Sequence, residues 1–404
     1  MRMASPRIAP SLAPKATMSP AASPAPQSRD LRLDFFRGLS LWFIFLDHVP
    51  SNIMAWVTVR NYGFSDASEI FVFISGYTAA FVYGRVMNER GFMIGAARIL
   101  KRAWQIYVAF VFLFVFYVAE ISYLATRFQN PLYTEETGFF EFLQKPEVIL
   151  IEALKLRFLP ANVDVLPLYI VLMAFFPFVL WPLRRWPNVT LIGSVVLYTI
   201  ARLLDWNISL YPYDRYWFFN PFCWQLLFVI GGWCALGGVQ RIENFLKSRT
   251  VLVLSILFLI YAAVLQLSWL MPGVMRKFPA WAMILPLNKS DLSLFRLFHF
   301  LALANIVVRF IPMDAAFLRS SWARPIILCG QHSLEIFCLG VFLSFSAHFF
   351  ITEISARLPV QMLVSIAGIC IMIGVASVMS WYKNIDRRGG KPPPAQTGLG
   401  ERPA

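Results

Sequence analysis

Two of the four histidines in this 404-residue chain, His48 and His299, stand inside apolar stretches, as do Glu69 and Glu120. Ionisable groups in such stretches are costly and mark functional candidates by default. A neutral histidine with a carboxylate partner is the usual means of taking a proton from a hydroxyl near pH 7. In that chemistry His48 is a general base, Glu69 or Glu120 orients it, and His299 supplies a second polar contact. A second set is basic. Arg37, Arg98, Lys101 and Arg102 suit the phosphates of a donor such as a coenzyme A thioester. Ser75, in the middle of another apolar stretch, is a donor contact or equally a small residue for helix packing. No residue stands out as a covalent nucleophile, so direct transfer is the simpler mechanism. Plainer roles compete. A lone buried histidine is as often a hydrogen-bonded packing residue, and Arg98 to Arg102 serve topology equally well.

The elements that position these residues are membrane spans. The chain is 58% hydrophobic and 14% charged, with a mean hydropathy of +0.61, where a soluble protein carries roughly 25% charged residues. The expected fold is all-α, a polytopic bundle of about ten transmembrane helices near 35–54, 68–86, 103–126, 164–183, 188–206, 218–237, 251–270, 293–311, 325–347 and 359–382. Each is close to the ~20 residues needed to cross. Residues 139–158 are apolar at helical spacing but carry three glutamates, two lysines and one arginine, which predicts a helix lying in the membrane interface. The Ala/Ser/Pro-rich residues 1–29 and the segment 386–404 are expected as disordered cytoplasmic tails around a domain spanning 30–385.

Charge sets the orientation. The net charge is +14, but the Lys and Arg cluster between apolar runs, which argues for membrane topology and against a nucleic-acid partner. An N-terminus in the cytoplasm gives every inner connection at least two basic residues, beginning with Arg85, Arg90, Arg98, Lys101 and Arg102. Both termini then face the cytoplasm of a bacterial inner membrane. Eleven residues of helix put His48 about 16 Å outward of Arg37. Counting along alternating spans brings His48, Glu69, Glu120 and His299 to similar depth in the outer half. Arg37, Arg98, Lys101 and Arg102 form a basic mouth on the inner side, where His332 opens the ninth span; His348 falls at an outer loop, where it is solvated. A site reached from both sides suits transfer across the membrane. The five cysteines lie in or beside apolar runs without CxxC or metal-ligand spacing, so packing is their expected role.

Several stretches resemble the acyltransferase-3 membrane family. They are Arg32-Leu-Asp34-Phe-Phe-Arg37-Gly38-Leu39 followed by His48, with ten residues between the basic residue and the histidine; Phe71-Val-Phe-Ile-Ser75-Gly76-Tyr77; and Arg98-Ile-Leu-Lys101-Arg102 leading to Gln105-Ile-Tyr107. Phe222-Cys-Trp224-Gln225-Leu-Leu-Phe228, Asp291 through Arg296-Leu-Phe-His299, and Gly330-Gln-His332-Ser333-Leu334-Glu335 resemble the OpgC subgroup. The resemblance covers roughly 29–385. It implies O-acylation, usually succinylation, of osmoregulated periplasmic glucans from a cytoplasmic acyl-CoA such as succinyl-CoA, with His48 catalytic and Arg37, Arg98 and Arg102 essential or donor-binding. Related sequences often carry a histidine three residues after the third-helix tyrosine; here Phe110 follows Tyr107, a departure that bears on the acceptor or proton-relay side. The competing function is a transporter or flippase of a glycan or small anion, or a catalytically silent protein of the same fold. The absence of an evident internal repeat counts mildly against a transporter.

Overall fold

The computed structural model describes residues 30–128, 142, 144–160, 162–212, 215–271, 273–275 and 287–389. The expected tail 1–29, the end of the other tail beyond residue 389 and part of 139–158 lie outside them. The described residues are predominantly helical and hold no strand, only an isolated bridge between Ser209 and Tyr216. The helices are α1 (Leu31–Asp47), α2 (Ala67–Arg90), α3 (Phe92–Phe128), α4 (Pro146–Leu154), α5 (Val165–Arg185), α6 (Pro187–Leu203), α7 (Pro221–Trp233), α8 (Arg249–Leu270), α9 (Leu294–Phe310), α10 (Ala323–Gln331), α11 (Ser333–Phe349) and α12 (Leu358–Gly389).

Each expected span coincides with a helix, the ninth being divided at His332 into α10 and α11. Among the described residues seven helical segments, those built on α2, α3, α5, α7, α8, α11 and α12, are long and apolar enough to cross a membrane. The chain is therefore a multi-pass membrane protein. With 17 residues each, α1, α6 and α9 reach only about 26 Å, short of a ~30 Å hydrocarbon core, so ten is an approximate count. Within 139–158 the described helix is α4, whose Ile149 and Ala153 pack against Phe114 and Phe158. α12 continues to Gly389, four residues into the segment expected as tail.

Helix starts follow local chemistry. Asp66 N-caps α2 and accepts from the Ser68 N–H at 2.8 Å, while Glu69 reaches back to the Asp66 N–H at 2.9 Å. That reciprocal arrangement is a capping box. Asn220 caps α7 ahead of Pro221, where a proline's missing N–H costs nothing. α2 and α7 then pack so closely that a Cβ on Gly76 would strike the Phe228 carbonyl, and one on Gly231 the Phe73 carbonyl. Small residues allow such approach where lipid offers no hydrophobic drive. This clamp holds the middle of α2 against α7.

Candidate functional site

His48 follows the last residue of α1 and lines a cavity of about 510 Å³, a size usual for small-molecule sites. Around it stand Asp47, Arg60, Gly63, Ser65, Asp66, Asp164, Lys289 and Arg296, with Phe64, Phe218 and Phe219 as apolar walls. The backbone N–H of His48 still donates to the Ile44 carbonyl at 3.1 Å, so the ring is carried on a helical turn. Its Nδ1 is buried without a well-formed hydrogen bond, apart from a weak interaction with the Ile44 carbonyl. Asp47 Oδ1 accepts from Thr58 Oγ1 at 2.7 Å, which ties the end of α1 to the following loop.

One wall is an ion cluster. Arg296 Nε donates to Glu69 Oε1 at 2.7 Å and its Nη2 to Asp66 Oδ2 at 2.9 Å. Lys289 Nζ meets the same Asp66 oxygen at 2.7 Å. Burial on its own would raise the Asp66 carboxyl, but Lys289 and Arg296 outweigh it and hold that group well below the usual carboxylate range. Lys289 is delivered by a pinned loop. The Asn220 N–H donates to the Ser290 carbonyl at 3.0 Å, Trp224 Nε1 to the Lys289 carbonyl at 3.1 Å and Tyr198 Oη to the Leu292 carbonyl at 2.8 Å.

The structure separates the expected catalytic set. Glu69 is completely buried and engaged by Arg296 and the Asp66 N–H, so it braces the wall and does not itself line the cavity. His299 is also behind the wall. The Ser65 N–H donates to its Nδ1 at 3.3 Å, Ser65 Oγ lies 2.7 Å from the same nitrogen, and Phe64 and Phe258 pack against the ring. A backbone N–H only donates, so Nδ1 accepts and the neutral ring carries its proton on Nε2. Glu120 is elsewhere: its Oε1 accepts from Ser346 Oγ at 2.6 Å between α3 and α11. The expected meeting of four residues at one depth thus becomes His48 at the cavity, Glu69 and His299 behind its wall, and Glu120 apart. Depth along a helix does not fix which face a side chain takes.

At the opposite end of α1, Arg37 is buried between helices. Its Nη2 donates to Thr78 Oγ1 at 2.5 Å and to the Ile74 carbonyl at 3.3 Å, with Asp34 at 4.0 Å. Arg98 and Lys101 are exposed and Arg102 is half-buried, the last bonded to Gln105 at 3.4 Å. Their spacing of three and four puts all three on one face of α3. Ser75 borders a gap between α2, α5 and α7 lined by Phe71, Tyr169 and Phe228, too narrow for a water molecule. Phe110 is fully buried and stacks on Phe114 at 6.3 Å, away from the cavity. All five cysteines are free thiols, and the described residues hold no cluster of three or more His, Cys, Asp or Glu able to bind a metal.

Sequence reasoning did not single out Asp47, Asp66, Asp164, Arg60, Lys289 or the ion-pairing role of Arg296. One signal was legible: Asp66 three residues ahead of Glu69, before an apolar run, is a helix-start pattern. The others become a site only when loops far apart in sequence meet.

The sequence model of the OpgC protein family matches residues 29–384. The chain belongs to the OpgC family. No curated protein and no solved structure matches it. Membership supports a role in glucan modification. Two of the stretches by which the sequence resembles OpgC proteins do identifiable work here. Trp224, near the start of α7, holds the Lys289 loop, and Arg296 and His299 on α9 brace the cavity wall. A third, around His332, forms the break between α10 and α11, where Nε2 of His332 lies 2.8 Å from Ser380 Oγ.

Proposed function

We propose that this OpgC protein is a membrane O-acyltransferase that moves an acyl group, succinyl by the family resemblance, from a cytoplasmic CoA thioester to a hydroxyl of a periplasmic glucan. In this reading the protein sits in the bacterial inner membrane with both termini in the cytoplasm and lipid around its outer helices. The observation that carries it is His48 lining a polar cavity at the end of α1 remote from Arg37. His48 takes the proton of the acceptor hydroxyl as its oxygen attacks the thioester carbonyl. The tetrahedral intermediate collapses with cleavage of the C–S bond, and the proton passes from His48 to the departing thiolate. Donor phosphates are held by Arg98, Lys101 and Arg102, with Arg37 fixing α1 against α2.

The test is incubation of purified protein with labelled succinyl-CoA and glucan. Label reaches the sugar with wild type and is lost with His48→Ala. Label that never reaches sugar, or transfer unchanged in His48→Ala, overturns the proposal. Arg98→Ala raises the KM for donor more than that for acceptor; the reverse assigns the basic face of α3 to topology alone.

A further inference from the structure

The cavity's charges are unequally used. Lys289 and Arg296 are spent on Asp66 and Glu69. Asp47 keeps one carboxylate oxygen beyond its bond from Thr58, and among the described residues no cation lies within ion-pair distance of Asp47 or Asp164. Asp164 precedes the first turn of α5 without capping it by a side-chain hydrogen bond, so its carboxylate is not consumed by the helix. At the rim Arg60, among the described residues, donates only to the Asp47 carbonyl, at 3.3 Å. An anionic ligand would meet Asp47 and Asp164; a cationic one would meet Lys289 and Arg60. A neutral polyol meets neither penalty, because each hydroxyl both donates and accepts. Phe218, Phe219 and Phe64 add an apolar wall beside these groups, as a saccharide with both hydroxyl and C–H surface requires.

We infer that Asp47 and Asp164 are the specificity-determining groups of the acceptor site, each accepting hydrogen bonds from hydroxyls of an uncharged saccharide and so presenting a further hydroxyl to His48. This deepens the acyltransferase reading and rests on it for the identity of the reaction, but the binding claim stands on its own. Burial pushes the Asp164 carboxyl up to about 7. Above that pH, where the binding titration is run, it is a carboxylate whose charge-assisted hydrogen bonds are about twice as strong as neutral ones, so Asp→Asn removes strength while keeping shape.

The experiment titrates an uncharged, unsubstituted gluco-oligosaccharide into the detergent-purified full chain without donor, following tryptophan fluorescence. Wild type binds; Asp164→Asn and Asp47→Asn each weaken binding about tenfold, with the KM for acceptor rising in step and the KM for donor unchanged. Since Asp164 does not cap α5, Asp164→Asn keeps the wild-type melting temperature and serves as the decisive variant should Asp47→Asn loosen the loop at Thr58. Unchanged saccharide affinity in Asp164→Asn overturns the inference. So does tighter binding of succinate than of the saccharide, or a change confined to the KM for donor. Saccharide binding by wild type without acyl transfer removes the acyltransferase reading and leaves this site in place. Transfer undiminished in both variants does the opposite.

Discussion

Arg296 donates through Nε to Glu69 Oε1 at 2.7 Å, joining the first turn of α9 to the first turn of α2 across 227 residues of sequence. Glu69 has no exposure at all, so removing its cation leaves a buried, uncompensated carboxylate. Breaking a buried pair in this way costs about 3–5 kcal/mol. Arg296→Ala is therefore expected to lower the melting temperature of the detergent-solubilised protein sharply. Arg296→Lys does not rescue it, because a single ammonium cannot reproduce the fork that serves Glu69 and Asp66 together. A melting temperature within error of wild type in Arg296→Ala would remove the ion cluster from any account of how the cavity is held.

Asp66 gives that cluster a pH signature. Lys289 and Arg296 outweigh burial and depress its carboxyl well below the usual range. A depressed carboxylate contributes stability above its unfolded value, about 3.9 for aspartate, and loses it only as pH falls towards the folded value. The stability gap between wild type and Asp66→Asn should thus stay constant from pH 8 to pH 5 and narrow only below about pH 4. Thermal melts at a series of pH values measure this. A gap that does not narrow below about pH 4 means that Asp66 titrates normally and is not held by the two cations.

Gly63 and His299 form a second, steric link. A Cβ at Gly63 would collide with Nε2 of His299, and His299 supports the Ser65 segment of the cavity wall. Gly63→Ala is expected to reduce acyl transfer at least tenfold by pushing the ring from its place, while His299→Ala makes room. The Gly63→Ala/His299→Ala double variant should then be no worse than His299→Ala alone. Such non-additivity is the mark of two residues acting through one contact. Fully additive losses in transfer rate would show that Gly63 matters for some other reason.

The helices were legible in the sequence because twenty apolar residues in a row carry a strong signal, and each expected span lies on a helix. The end of α1 bearing His48 was legible for the same reason, since Arg37 and His48 ride one helix at a fixed rise. What could not be read was rotation. Counting along the spans puts Glu120 at a depth like that of His48, yet its side chain is bonded to Ser346 on α11. Lys289 and Asp164 were invisible as site residues because loops, not helical periodicity, bring them to the cavity. Asp66 was half legible: its spacing to Glu69 announced a helix start, but not that the cap would also hold two cations.

The rotation of α3 yields a discriminating comparison between the two glutamates first matched with His48. Glu120 Oε1 is satisfied by Ser346 Oγ at 2.6 Å, its Oε2 is buried without a partner, and neither oxygen lines the cavity. A neutral amide of the same shape can keep the Ser346 bond and relieves the cost of an unpaired buried charge. Glu120→Gln is expected to leave acyl transfer within about twofold of wild type and stability equal or higher. Glu69→Gln leaves Arg296 without its charge partner and should lose both stability and transfer. Side-by-side melting and transfer assays settle the pair. If Glu120→Gln abolishes transfer while Glu69→Gln is silent, the base is oriented from α3, and the cavity wall built on α2 and α9 has been assigned the wrong role.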